Sequence, residues 1–83
     1  MDNYEIVLKE SMAAVFEIPI DKITKTTSVD TVDVWDSLKH VSLVVTLEEE
    51  FEVEFSEEEI LLMLNFDVIL KLIQRKLVLF FLI

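Results

Sequence analysis

The first helix is predicted to run from a cap at Asp2 or Asn3 to about residue 16, because apolar residues keep roughly helical spacing over that stretch. Pro19 breaks the pattern, and residues 17–35 are predicted to form a long loop rich in threonine, aspartate and valine. Loops of this length in small domains are usually functional or anchored by their own side chains. The candidate anchors are its apolar residues: Ile18, Ile20, Ile23, Val29 and Val32.

The second helix carries two apolar stripes. It is predicted to begin at Asp36–Ser37 and to run to about Glu50. Placed at about 100° per residue, one stripe falls on a single face and is predicted to be core. The other stripe, beside the start of the helix, is either a contact surface or a second buried face that the long loop covers. The core stripe is His40, Leu43, Val44, Leu47 and Phe51, and the second stripe is Leu38, Val41 and Val45.

Two further helices follow a short connector. Apolar residues alternate with glutamates over residues 51–55, which we interpret as an extended segment because no pairing partner lies nearby. Ser56 and Glu59 form a capping-box sequence that predicts a short third helix from 57 to about 63. Asn65 can cap a fourth helix. Together these elements predict a small all-α four-helix bundle. The core stripe of the fourth helix is Phe66, Ile69, Leu70, Ile73 and Leu77.

Composition narrows the classes of function. The chain has 83 residues, enough for one domain, and 17 acidic against 7 basic residues give a net charge of −10. A phosphate backbone would be repelled, so no nucleic-acid partner is expected, whereas basic protein surfaces would be attracted. The absence of cysteine excludes disulfides, thiolate metal sites and a cysteine nucleophile, and fits a cytoplasmic location. No basic segment followed by an apolar run opens the chain, so no signal peptide is expected.

The start of the second helix carries the most specific motif. Asp-Ser-Leu, followed at fixed spacing by apolar residues, an acidic run and phenylalanine, closely resembles the acyl carrier protein family. The long preceding loop, the short third helix and the closing helix match the family order as well. The resemblance covers roughly residues 3–75. Its matching positions are Asp36, Ser37, Leu38, Val41, Leu43, Val44 and the run Leu47–Phe51.

The resemblance implies a carrier and not a catalyst. Ser37 matches the serine that receives 4'-phosphopantetheine from coenzyme A, and a phosphopantetheinyl transferase is therefore an implied partner. The arm ends in a thiol that holds acyl groups as thioesters, and acyl-loading and acyl-transfer enzymes with basic surfaces are the other implied partners. Asp36 and Leu38 complete the motif. The implied partner contacts are Leu38, Val41, Val45, Glu48 and Glu49.

The sequence departs from the family pattern near Ser37. Val34 stands where the family usually has glycine, and Lys39, His40 and Ser42 stand where acidic residues are common. The acidic patch is therefore weakened beside Ser37 and kept farther along the helix. The run Trp-Asp-Ser-Leu-x-His is more similar to specialised stand-alone carriers, such as those that serve secondary metabolism or sugar modification.

Several alternatives compete with the carrier hypothesis. Asp36, Ser37 and His40 resemble parts of a hydrolase, but Asp36 and Ser37 are adjacent and no glycine-rich turn supplies an oxyanion hole. The glutamate clusters lack the alternating ligands and central glycine of a calcium loop, and are interpreted as a solvated face. Trp35 is either a loop anchor or a partner contact. The whole chain is alternatively an acidic interaction module without a prosthetic group, or a peripheral membrane adaptor.

The apolar run 77–83 lies outside the resemblance. We therefore divide the chain into a carrier domain, 1–76, and an apolar extension, 77–83. Seven residues are too few to span a bilayer. No glycine or proline stops the fourth helix, so the extension is predicted to continue it and to promote self-association. Folding back over the bundle and fraying are the alternatives.

Overall fold

The computed structural model describes the backbone of residues 3–82 and the side chains of residues 3–78. Within these residues there are four α-helices, α1 (Asn3–Phe16), α2 (Ser37–Phe51), α3 (Glu57–Leu62) and α4 (Phe66–Leu82). The predicted helical bundle with a long first loop and a short third helix is confirmed. Asn3 is the first helical residue, and Asp2, the other predicted cap, lies outside the described residues.

The core forms where α1, α2 and α4 meet. The helices α1 and α2 contribute buried faces at helical spacing, and α4 buries Phe66, Ile69 and Ile73 completely. Leu70 and Leu77, which were also predicted as core, are half-buried against the same cluster. The predicted core stripe of α2 is likewise confirmed, with four members buried: Leu43, Val44, Leu47 and Phe51.

The long loop is anchored by some of its apolar residues. Ile23 and Val32 are buried, and Ile18 and Val29 are half-buried against the core. The prediction for Ile20 is wrong, since its side chain is 47% exposed. Ile20 opens a 3₁₀ turn, Ile20–Lys22, directly after Pro19, and this turn directs Ile23 into the core while Ile20 stays on the outer side.

Backbone hydrogen bonds tie this loop to the start of α4. The Val29 amide donates to the Leu64 carbonyl oxygen at 3.0 Å, and the Phe66 amide donates to that of Thr27 at 2.8 Å. Ser28 and Asn65 form an isolated antiparallel bridge at the same place. The loop is therefore held against the segment between α3 and α4.

Side-chain caps begin the later helices as predicted. Ser56 and Glu59 form both hydrogen bonds of the capping box at α3. The Asn65 Oδ1 atom accepts from the Val68 amide at 2.9 Å and caps α4. At the C-terminal end of α2, Glu52 adopts a left-handed conformation with φ of 54°, and a left-handed residue at a helix end is usually glycine. A chain without glycine therefore ends this helix with a strained glutamate.

Helix α4 continues through the apolar extension as far as Leu82, as predicted. Ile83, the last residue of the apolar extension, lies outside the described part of the chain. Within the described residues, no helix has the length and apolar character needed to cross a membrane.

Candidate functional site

Ser37 is the first residue of α2, and its side chain is exposed to solvent. Asp36 precedes it as the N-cap in an extended conformation. The Asp36 Oδ1 atom accepts from the Lys39 amide at 2.9 Å, and the Asp36 carbonyl oxygen accepts from the His40 amide at 2.8 Å. A rigid cap therefore presents the Ser37 hydroxyl at the positive end of the helix dipole, where an attached phosphate is favoured.

Trp35, the residue before this cap, is buried and anchors the end of the long loop. It is only 6% exposed, and its ring lies 4.9 Å from that of Phe16 between centroids. Its ring also stacks on the His40 imidazole at 6.1 Å. Of the two roles considered for Trp35, loop anchor and partner contact, the structure supports the anchor.

His40 joins three parts of the chain through its two ring nitrogens. Its Nδ1 atom lies 3.0 Å from the Trp35 Nε1 atom, and its Nε2 atom lies 2.8 Å from the Ile60 carbonyl oxygen on α3. An indole N–H can only donate and a carbonyl oxygen can only accept. His40 therefore accepts at Nδ1 and donates from Nε2, which defines the neutral tautomer with its proton on Nε2.

The two hydrogen bonds of His40 argue against the hydrolase alternative. Both His40 nitrogens are engaged by protein groups, so neither is free to take a proton from Ser37. A nucleophilic serine needs a base within hydrogen-bond reach that is itself free to accept. The arrangement around Ser37 presents a hydroxyl group and supplies no such base from His40. His40 instead fixes the distance between the long loop, α2 and α3.

The second apolar stripe of α2 is exposed. Leu38, Val41 and Val45 are 80%, 60% and 46% exposed. The long loop does not cover them, so the alternative of a second buried face is wrong and the stripe is an open surface beside Ser37. Helix α3 and the residues after it add further exposed leucines that the sequence analysis missed, because so short a helix shows no clear periodicity. These are Leu61, Leu62 and Leu64.

The two glutamates implied as partner contacts have different surroundings. The Glu48 side chain is half-buried, and its Oε2 atom accepts from the Phe55 amide at 3.0 Å. Glu48 therefore holds the turn after α2 as well as adding charge. Glu49 is exposed, and its carboxylate makes no ion pair within the described residues. Glu49 is the better probe of surface charge for this reason.

A charged cluster connects α3 to α4. The Lys76 Nζ atom lies 2.7 Å from Glu59 Oε1 and 5.3 Å from the centre of the Phe55 ring. The hydrogen bond from Lys76, together with the Ser56 amide, lowers the pKa of the Glu59 carboxyl. Elsewhere in the described part of the chain, histidine and acidic residues nowhere gather in a group of three or more suited to a metal ion.

A groove opens beside Ser37, with a volume of about 420 Å³. We call it the Ser37 groove. The long loop, the first turns of α2 and the segment after α3 each contribute to its walls. Its lining residues are Val29, Trp35, Asp36, Ser37, His40, Val41 and Leu64.

Comparison with known proteins gives one kind of match. A scan against protein-family models finds none that matches, and a search of curated proteins also finds no match. Among solved structures, the chain is similar to the solution NMR structure of the holo acyl carrier protein from Geobacter metallireducens. The TM-score is 0.82 with 28% sequence identity, over 93% of this chain and 88% of that chain. This similarity in fold and sequence supports the resemblance to the acyl carrier protein family.

The chain departs from the family pattern at Val34, where its backbone has no positive φ. The only described residues with positive φ are Glu17 and Glu52, so the backbone at Val34 does not require glycine. His40, a second departure, has the structural role described above. The departures near Ser37 are therefore compatible with a carrier fold.

Proposed function

We propose that this chain carries acyl or aminoacyl groups as thioesters on a 4'-phosphopantetheine arm attached to Ser37. The observation that supports it most directly is the exposed Ser37 hydroxyl at the capped start of α2, in a fold similar to that of a holo acyl carrier protein. An arm needs an exposed attachment point on a rigid base, and the Asp36 cap meets both requirements. The chain itself is a non-catalytic carrier in this proposal, and the arm supplies the reactive thiol.

The residues around Ser37 fit a phosphodiester. The amides of Lys39 and His40 are taken up by Asp36, whereas those of Ser37 and Leu38 find no acceptor within the described residues. Free amides at a helix start favour an anionic group. During attachment, a bond forms between Ser37 Oγ and phosphorus as the phosphoanhydride bond of coenzyme A breaks, the serine proton passes to a base of the transferase, and adenosine 3',5'-bisphosphate leaves.

The surface around the site accounts for partner recognition. The exposed stripe of Leu38, Val41 and Val45 offers apolar contact area next to the arm. The exposed Glu49 and the net charge of −10 attract basic surfaces and raise the association rate. The transferase and the acyl-loading and acyl-transfer enzymes are the proposed partners, and the cytoplasm is the proposed location.

Intact mass after enzymatic loading tests this proposal. The chain is incubated with coenzyme A and a broad-specificity phosphopantetheinyl transferase, and the expected result is a gain of one phosphopantetheinyl group. Ser37→Ala should abolish the gain while the helical circular dichroism spectrum is kept, since Asp36 caps α2 and the Ser37 side chain is exposed. Ser42→Ala is the matched control, because Ser42 is another exposed serine of α2 and should leave loading unchanged.

The same experiment separates the carrier from the second function considered, an acidic interaction module without a prosthetic group. That module would remain unmodified at Ser37. A wild-type chain that gains no mass, under conditions that load a known carrier, would overturn the proposal.

A further inference from the structure

We propose that the Ser37 groove, which Trp35 and His40 help to line, is a resting site for the pantetheine part of the arm. This inference rests on the proposed function and adds to it. Ser37 itself lines the groove, so an arm attached there begins inside it. Trp35 is buried at 6% exposure and also lines the groove, as does His40.

The size of the groove suits the arm alone. Its volume is about 420 Å³, within the range of about 300–1,000 Å³ that small-molecule sites occupy. The centre of the bundle is filled by side chains with no exposed surface, including Leu43, Leu47 and Phe66. A flexible arm attached at Ser37 therefore finds its nearest concave surface in the groove and not between the helices.

The lining matches the chemistry of pantetheine. Pantetheine combines a dimethyl-bearing carbon and methylene segments with a hydroxyl group and two amides. Val29, Val41 and Leu64 give the groove apolar walls for the first kind of group. The exposed Asp36 and Ser37 add polar atoms at the attachment end. A surface of this mixed kind suits a ligand that is neither fully apolar nor charged along its length.

Because the arm is covalently attached to Ser37, weak contacts are sufficient to hold it in the groove. A group joined by a short flexible linker has an effective concentration in the millimolar range. Contacts too weak to bind free pantetheine therefore still hold the attached arm for part of the time. Release for delivery to a partner enzyme then carries a small free-energy penalty, which suits a carrier.

The groove is formed before any arm is attached, because hydrogen bonds hold its walls. The Val29 amide donates to the Leu64 carbonyl oxygen at 3.0 Å, so two walls are joined directly. His40 links the end of the long loop to α3, through Trp35 at 3.0 Å and the Ile60 carbonyl oxygen at 2.8 Å.

Trp35 provides a specific readout, since it is the only tryptophan in the chain. The unloaded and loaded forms are compared by two-dimensional NMR, with the Trp35 Nε1–H resonance as the main probe. We expect loading to shift that resonance and the amides of Val29, Val41 and Leu64. Shifts confined to residues 36–39, next to the attachment point, would overturn the inference.

Matched variants test the walls. Leu64→Asn, at 47% exposure, should reduce the loading-induced shift of Trp35 Nε1–H at least twofold. Leu61→Asn, on exposed α3 surface outside the groove, should leave it unchanged. Val41→Asn and Val45→Asn form a second pair on α2 with the same expected contrast. Equal shifts within both pairs would overturn the inference.

Failure of the inference and failure of the proposed function are distinguishable. Intact mass is measured on every sample before NMR. A wild-type chain that gains no mass contradicts the proposed function at Ser37. A chain that gains the phosphopantetheinyl mass but leaves the Trp35 resonance unmoved keeps the carrier function and refutes the resting site.

Discussion

Replacing His40 by leucine should destabilise the fold through a buried donor left without an acceptor. The substitution removes the acceptor that lies 3.0 Å from Trp35 Nε1 and the donor that lies 2.8 Å from the Ile60 carbonyl oxygen. Trp35 is 6% exposed, so water has little access to its N–H group. An unsatisfied buried donor costs about 1–3 kcal/mol. Ile60 is half-buried, and its carbonyl oxygen regains water more easily.

We therefore expect His40→Leu to lower the free energy of unfolding by about 2 kcal/mol. In a domain of this length, each kcal/mol moves the Tm by roughly 4–8 °C. The Tm from thermal unfolding, followed by circular dichroism, should accordingly fall by about 8–16 °C. Urea unfolding at 25 °C gives an independent value of the same free energy.

Two polar substitutions separate the two hydrogen bonds of His40. The Nδ1 atom is two bonds from Cβ, as is the Oδ1 atom of asparagine, whereas Nε2 is three bonds away, as is the Nε2 atom of glutamine. His40→Asn should keep an acceptor for Trp35, and His40→Gln should keep a donor for Ile60. Asparagine should therefore restore more stability than glutamine. Equal stability of the leucine and asparagine variants, or an unchanged Tm in all three, would refute the reasoning.

Four further predictions concern other parts of the chain. Phe51→Ala should lower the free energy of unfolding by about 3–5 kcal/mol, because Phe51 is 9% exposed; an unchanged urea midpoint contradicts this. Glu49→Lys should slow association with the transferase in stopped-flow measurements at low salt, with the difference lost at high salt. An association rate that does not change with ionic strength would contradict electrostatic steering. The pKa of Glu59 is lowered from 4.5, mainly by Lys76, so the stability that its carboxylate contributes is complete above 4.5 and is lost as pH falls through the lowered pKa of the folded state. Lys76→Met should remove that part of the acid dependence, seen by comparing unfolding at pH 7 and pH 3, and identical pH profiles exclude it. Deletion of residues 77–83 should weaken self-association in sedimentation, whereas monomers at equal high concentration for both chains would rule it out.

Local interactions explain the parts of this protein that could be predicted from its sequence. Asp36, Ser56 and Asn65 each cap a helix through an amide three residues farther along. The contacts that begin a helix therefore lie within one turn of the cap, and the residue types alone indicate them. The apolar stripes follow from helical periodicity in the same way. The position of Ser37 at a helix start was predictable for this reason.

The position of each stripe relative to the rest of the chain was not predictable. Periodicity shows that α2 has two apolar stripes. Only the packing shows that the long loop leaves the second stripe exposed, with Leu38 at 80% exposure. Ile20 and Ile23 are equivalent in hydrophobicity, and the turn after Pro19 decides which of them is buried.

The candidate site depends on contacts between residues far apart in the chain. His40 and Ile60 are separated by 20 residues, and the Val29 amide meets the Leu64 carbonyl oxygen across a still longer stretch. No local pattern encodes these pairs, because they arise only when α3 packs against α2 and the loop together. The different roles of Glu48 and Glu49 could not be predicted either. They are adjacent residues of the same type, and only in the folded structure does Glu48 accept from the Phe55 amide. The sequence by itself therefore determined the helices, their caps and the serine that opens α2. The tertiary structure decided which surfaces stay open and built the groove beside that serine, since both depend on how distant segments pack.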